Sequence, residues 1–557
     1  MSRVAVCVAI LVLVSTRSVW AQTSYDDETT AEGWAWSQIR RDSIADFNEK
    51  CGKSLDPHVK NTDWDDPCRQ IRPQFLVDVL TRPALKDQLP QHGMRLIGAH
   101  IEGAIDLADA EISAETRVET SRIAGSLILS DSHWARLLSL QGSTVTGDFI
   151  AERMHANSSV LLGNSALFER DVDLSRAKIV DDLDMSNSAF AGEADLTNAK
   201  IAGAVVMEGS YFAGTLSATG LNVGHGLYMH SNTTFGGKVY LIGAKFGDNL
   251  ELRGATAWFV DLSDIEAAEL HTGGLGWWCP EGRPSVGAPD WSAASGGETR
   301  ASHWPLGDSA WREAQCDFAD GTKKPTLILR NAHVTGFQDS ADAWPPKLDL
   351  EGFHYDRIGG MAGVGGLANS GPDDMRGRKS EKWTDWLERD PIFSTQPYAA
   401  LSSVLATTGR RDTADAVQLA GRERERREVC SNWDRPFYCA WLTFLFYVAG
   451  YGIGLYTFFV LLWVAGLTGL GADILWYSPN ARRHGYVWRL GASLHRLLPI
   501  IELSKEFNDF FDNPPPTPGT TPNLSRFQMA YFAGHAVAGW ILAFFLLAAM
   551  GGIIQKA

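Results

Sequence analysis

The chain has 557 residues, with 50 Lys and Arg against 66 Asp and Glu, a formal charge of −16. That balance disfavours a nucleic-acid binder, which needs a cationic face to displace counterions from phosphate. With 45% hydrophobic and 21% charged residues, the composition is that of a folded protein.

Residues 1–21 read as a signal peptide. Arg3 supplies a basic start, Val4 to Val14 an apolar run too short to span a bilayer, and Val19-Trp20-Ala21 a cleavage signal before Gln22. An uncleaved N-terminal anchor is the alternative. Cleavage removes Cys7 and leaves six cysteines in neighbouring pairs: Cys51 with Cys68, Cys279 with Cys316, Cys430 with Cys439. In an exported chain this spacing predicts disulfides closing short loops, and no CxxC suggests zinc or a redox site. Residues 22–92 read as a helical cap, with amphipathic stretches over 35–52 and 68–82 ending at Gly52 and Pro83.

From residue 93 to 271 a different period takes over. Large apolar residues stand at Leu174, Ile179, Met185, Phe190, Leu196, Ile201, Met207 and Phe212, in steps alternating five and six. The same register runs back to Ile101 and forward to Leu252. Neither a helix nor a plain alternating strand gives this spacing; a four-sided coil of about 22 residues does, each side burying its large residue and stacking on the next coil through parallel ladders. Gly103, Gly125, Gly147, Gly203 and Gly214 recur near the corners, where positive φ or close backbone approach suits glycine.

The register pauses over 272–325, an insertion holding Trp277, Trp278, Trp291, Trp304 and Trp311, which Cys279 and Cys316 could cinch. Its tryptophans form either a platform for sugar rings or a partner, or a small aromatic core. A final coil follows at 326–360, then a linker at 361–382 and a helical region at 383–436 whose last two helices form an αα-hairpin. The Arg/Glu-rich stretch 422–428 reads as a solvated, internally paired helix face or as a contact for anionic lipid. Residues 437–557 read as a membrane domain. No charged residue occurs from Phe437 to Ala472, which predicts an interfacial helix, a break at the Gly-rich 450–454 and a span at about 455–475; a second span covers about 527–554. Treating 437–475 as two spans is the alternative. The loop between the spans is partly amphipathic and suits a headgroup surface. Basic residues flank the first span almost evenly, so charge leaves orientation open; signal peptide and paired cysteines favour the solenoid and the C-terminus outside, with the 476–526 loop inside.

The coil pattern resembles that of pentapeptide-repeat proteins, through segments such as ADLTN at 194–198. With RPQFLVDVL at 72–80, GMRLIGAHIEGAIDLADAEI at 93–112 and LDLEGFHYDRI at 348–358, the chain is similar to a family of bacterial membrane-associated β-helix proteins. The resemblance implies a right-handed quadrilateral parallel β-helix; the residues themselves predict its helical N-terminal cap, C-terminal αα-hairpin and two transmembrane helices, and the signal peptide with the paired cysteines puts the chain in a bacterial inner membrane with the β-helix in the periplasm. Members are often labelled membrane-associated oxidoreductases, but the family carries no catalytic motif to place on this chain.

Chemistry is harder to find. Gly363-Val364-Gly365-Gly366-Leu367-Ala368 fits a dinucleotide string, yet no strand precedes it and no βαβ unit surrounds it. His225 and His230 flank the inward Met229 and read as outward polar residues rather than a metal pair. Asp181, Asp182, Asp171 and Asp173 fall at corners and outward positions, where solvation competes with a glycosidase-like pair. No catalytic, cofactor-binding or metal-ligating residue is assigned, and no cofactor is expected. The expectation is a membrane-anchored scaffold or binding module of the cell envelope with a protein partner. The alternatives are a polysaccharide-binding or -cleaving protein using the Trp-rich insertion, and an oxidoreductase as the resemblance implies.

Overall fold

The computed structural model describes residues 25–278, 324–359, 375–432, 435–498, 502–512 and 523–550. The expected signal peptide, the Cys279–Cys316 pair, most of the insertion and the Gly363–Ala368 string lie outside them. The described chain forms a parallel β-solenoid of about ten turns, with about 22 residues and four short strands per turn, together with 12 helices. It divides into two compact units: the chain up to Leu227 with Asn232–Gly237, and Tyr228–Ser231 with Lys238 onward.

The first unit opens with helix α1 (Ala31–Arg40), capped by the Thr30 hydroxyl, which accepts from the Gly33 N–H at 3.0 Å. The helix expected over 35–52 is broken. Asp42 takes a left-handed φ of 60°, Ala45–Asp46 becomes a strand beside Leu96–Ile97, and only a single turn, α2 (Phe47–Lys50), follows. The second amphipathic stretch likewise begins as a strand, Gln70–Ile71 beside His100–Ile101, before α3 (Pro73–Thr81) and the short α4 (Pro83–Lys86). Pairing with the first turn outweighs the local helical pattern at both places, because an open sheet edge leaves N–H and C=O groups unmet. The disulfide Cys51–Cys68 lies between these two strands.

Beyond the cap the predicted register holds. Val172 pairs with Ala194 and that with Leu216; Lys178 pairs with Lys200 and that with Asn222. The inward residues make ladders: Phe168, Phe190, Phe212 and Phe235 stack with centroids 5.3, 4.8 and 5.4 Å apart. The small inward positions carry a hydroxyl column. Ser121 N–H donates to Ser143 Oγ (3.0 Å), and Ser188 N–H to Ser210 Oγ (3.2 Å), while Ser210 Oγ donates to Met185 O at 2.6 Å. A corner N–H turned away from the ladder is thereby satisfied inside the core.

Corner chemistry differs from the glycine expectation in one respect. Asp109, Asp131, Arg153, Arg176 and Asn198, not the predicted glycines, take positive φ in one recurring column, and Asp and Asn tolerate that region best among side-chain-bearing residues. Of the five glycines named above, only Gly103 has positive φ; Gly125 and Gly214 are held by close approach to the backbone of Gly103 and Gly192 one turn back.

In the second unit, strands Thr326–Ile328, His333–Gln338, Lys347–Asp349 and His354–Ile358 complete the last turns. Helices α5 (Ser380–Glu388), α6 (Gln396–Thr407) and α7 (Arg411–Asn432) follow, α6 and α7 forming the expected hairpin at Gly409, whose φ is 84°. The segment between α5 and α6, with Gln396 at the start of α6, covers the edge of the Lys347–Asp349 strand and the turn after it. Leu348 N–H donates to Arg389 O (3.1 Å), Leu350 N–H to Asp390 Oδ2 (3.0 Å) and Gly352 N–H to Gln396 Oε1 (3.0 Å). Beside it a buried ion pair, Arg378 Nη1 to Asp339 Oδ1 at 2.9 Å, is lodged against the rings of Trp344 and Trp383.

Disulfide Cys430–Cys439 joins the end of α7 to α8 (Pro436–Ala449). Fourteen residues rise about 21 Å, less than the roughly 30 Å hydrocarbon core, and α8 is not among the segments long and apolar enough to cross a membrane. The chain turns at Gly450 (φ 50°) and enters α9 (Phe459–Leu475) through 3₁₀ turns. Next come the amphipathic α10 (Tyr486–Leu497), the short α11 (Lys505–Phe511) and α12 (Arg526–Met550). Two segments, Gly454–Leu475 and Arg526–Leu547, are long and apolar enough to cross a membrane. Val448, Val460, Leu542 and Phe545 form a shared core of α8, α9 and α12, while Phe437, Leu462, Phe527 and Phe544 stay exposed.

Candidate functional site

Two polar sites stand out on the solenoid. In the first unit a cleft of about 740 Å³ opens between the start of the described chain and the first turns, lined by Tyr25, Asp27, Glu32, Arg72, His100 and Glu102 among others. The cap strand Gln70–Ile71 and α1 place these groups. Arg72 donates Nε and Nη2 to the two oxygens of Glu32 at 2.8 and 2.6 Å, and its backbone N–H also donates to Glu32. Tyr25 donates its hydroxyl to Asp78 Oδ2 at 2.9 Å, and burial, followed by that hydrogen bond and the Asp78 charge, holds the phenol well above its ordinary range. His100 Nδ1 donates to Trp64 O at 2.7 Å. Glu32 is tied to Arg72 and Tyr25 stays protonated, so this cleft suits recognition of a polar ligand better than nucleophilic chemistry.

In the second unit the strand register brings Glu251, His271 and Gln338 into line on successive turns. His271 Nδ1 lies 2.8 Å from Glu251 Oε2 and Nε2 lies 3.2 Å from Glu269 Oε2; Arg253 approaches Glu251 at 3.4 Å and Arg357 pairs with Glu269. The side chains of Glu251 and His271 are 7% and 6% exposed. Burial pushes the imidazole down, but the hydrogen bond and charge of Glu251, with those of Glu269, push harder and raise it. Burial likewise raises Glu251, and the bond from His271 with its charge overcomes this and lowers the carboxyl. The group is an imidazole held between two carboxylates, which favour its protonated form. The sequence does not single it out, because Glu251 stands 18 and 20 residues before Glu269 and His271 and Arg357 lies 88 residues beyond Glu269, although the coil register aligns Glu251 with His271.

The acids singled out by sequence serve the turns. Asp171 Oδ1 accepts from Glu193 N–H (2.8 Å) and Asp182 Oδ1 from Ala204 N–H (2.7 Å), each one turn on, while Asp173 Oδ1 accepts from Ser175 N–H (2.8 Å). Gly192 and Gly203 leave room for these carboxylates, since a Cβ at either position would overlap the Asp171 or Asp182 oxygen. His225 is exposed, and His230 Nδ1 is bonded to Ser231 Oγ at 2.6 Å. Among the described residues no group of three His, Cys, Asp or Glu is placed to hold a metal ion. Of the five insertion tryptophans, Trp278 is buried and Trp277 donates Nε1 to Ala343 O at 2.7 Å; the other three lie outside the described residues.

In the helical region Arg422 pairs with Glu425, Arg426 with Glu423 and Arg427 with Glu388, which favours the internally paired reading of 422–428. The ring nitrogens of His535 on α12 are both engaged, Nε2 with Ser493 O (3.2 Å) and Nδ1 with Tyr531 OH (3.3 Å). No family model, curated protein or solved structure matches this chain.

Proposed function

We propose that the chain is a membrane-anchored scaffold or binding module of the cell envelope, with the solenoid exported and a protein as its partner. The observation that carries this reading is the joining of a solenoid with a side-chain-filled interior to two helices long and apolar enough to cross a membrane. A solenoid of this kind offers its outer surface and end clefts, not an internal pocket, and the Tyr25–Glu102 cleft is the recognition surface we favour. The same reading takes the solenoid as right-handed, four-sided and of pentapeptide-repeat type. It places the chain in a bacterial inner membrane, with a cleaved signal peptide, the solenoid in the periplasm and Cys279 bonded to Cys316. Neither the polysaccharide nor the oxidoreductase alternative gains a specific observation.

The test is photocrosslinking in native membranes, with the crosslinker placed at Thr29 or Glu102 in the cleft and at Lys200 on the outer face as control. A defined protein adduct from the cleft positions alone supports the proposal; equal labelling at Lys200, or none anywhere, counts against it. A periplasm-active reporter fused to the C-terminus tests the topology.

A further inference from the structure

From Ile474 to Ile501 the chain has four arginines, Arg482, Arg483, Arg489 and Arg496, and no acidic residue, within a protein whose net charge is −16. None of the four makes an ion pair with a described carboxylate, in contrast to the paired arginines of α7. Arg489, on the first turns of α10, is 4% exposed, and its Nε and Nη1 are buried with no hydrogen-bond acceptor. An uncompensated guanidinium removed from water carries a large desolvation penalty.

Its neighbours do not supply the missing charge. The Arg489 guanidinium carbon lies 4.4 Å from the Trp476 ring centroid and 5.6 Å from that of Tyr486, and the Arg482 carbon lies 4.8 Å from the same Trp476 ring. Stacking of this kind offsets only part of that cost. It also brings two like charges to one indole, an arrangement an anion would relieve. The ligand's depth follows from the chain: the apolar segment Gly454–Leu475 ends immediately before Trp476, and Trp476, Tyr477 and Tyr486 are exposed there. Exposed Trp and Tyr at the end of an apolar helix mark headgroup level, and guanidinium forks match phosphate oxygens.

We infer that the corner between α9 and α10 binds the phosphate of an anionic phospholipid headgroup, with Arg489 and Arg482 as its donors and Trp476 as the platform. The inference rests on the membrane reading above and adds a ligand to it.

The full chain, purified in a neutral detergent, is titrated with phosphatidylglycerol or phosphatidylcholine and the retained lipid counted by native mass spectrometry. Wild type retains phosphatidylglycerol over phosphatidylcholine. Arg489→Gln and Arg482→Gln each lower that retention by about fivefold, the equivalent of roughly 1 kcal/mol per basic group. Arg489→Lys, which keeps charge but not the fork, falls between. Arg483→Gln, at an exposed residue not stacked on Trp476, leaves retention unchanged. An equal loss in Arg483→Gln, no lipid preference in wild type, or displacement of the lipid by millimolar inorganic phosphate would each overturn the assignment. The wild-type arms stand even if a variant fails to fold. Carbonate extraction separates the two readings: a chain that stays in the membrane without lipid preference refutes only the headgroup site, whereas a chain released from it refutes the membrane anchor.

Discussion

His271 stands one turn after Glu251, and its Nδ1 lies 2.8 Å from the buried carboxylate. The pair titrates in opposite senses. His271, raised above its ordinary value of about 6.5, contributes stability that is full below that value and lost as pH rises through the raised pKa. Glu251, lowered, contributes stability that is full above its ordinary range and lost as pH falls through the lowered pKa. The Tm of the solenoid is therefore expected to be highest between the ordinary carboxylate and imidazole ranges and to fall on the alkaline side. His271→Gln should flatten that alkaline limb in thermal scans at stepped pH, and an unchanged limb would remove His271 from the account.

Arg378→Met removes the guanidinium that pairs with the buried Asp339 carboxylate beside Trp344. Breaking a buried pair from one side costs about 3–5 kcal/mol. Thermal unfolding of the variant should show a large drop in Tm, whereas Arg330→Met, which breaks an exposed pair with Asp349, should change little.

Gly203→Ala places a methyl against the Asp182 carboxylate and the Asp181 backbone. Either the turns separate or Asp182 releases the Ala204 N–H, at about 1–3 kcal/mol. Gly377→Ala, with nothing within 4 Å of its added carbon, is the control. Comparable melting of the two variants would mean the turn stack yields more readily than its register implies.

Cys51 and Cys68 close a short loop in the cap, and the chain-entropy argument gives about 3 kcal/mol for a loop of that length. Replacing both with Ser should lower Tm accordingly. Non-reducing peptide mapping should find the Cys51–Cys68 and Cys430–Cys439 links in protein made with its first 21 residues intact and lose them when those residues are deleted, because the cytosol keeps thiols reduced.

How far the sequence could be read depended on the length of the signal. The alternation of Leu174, Ile179, Met185 and Phe190 repeats over many turns, so inward positions and coil length were legible. So were the helical hairpin and both apolar helices, whose composition is distinctive over more than a dozen residues. The cap strands Ala45–Asp46 and Gln70–Ile71 were not, since two residues carry no period and their conformation comes from a partner some fifty and thirty residues away. The candidate sites were less legible still. The ties of Tyr25 to Asp78 and of Arg72 to Glu32 join residues dozens of positions apart, and the isolation of Arg489 depends on which acids fail to reach it, which only a folded arrangement decides.

The two borrowed strands of the N-terminal cap have a bearing on assembly. A stack of parallel turns is in principle open-ended, since each turn is a template for the next and a second chain could extend it. Here the template is consumed by the protein's own residues 45–46 and 70–71, and at the last turn by Arg389, Asp390 and Gln396. The number of turns is thereby a property of the chain, not of its concentration. A variant lacking its cap would be expected to lose that ruler and grow end to end into filaments.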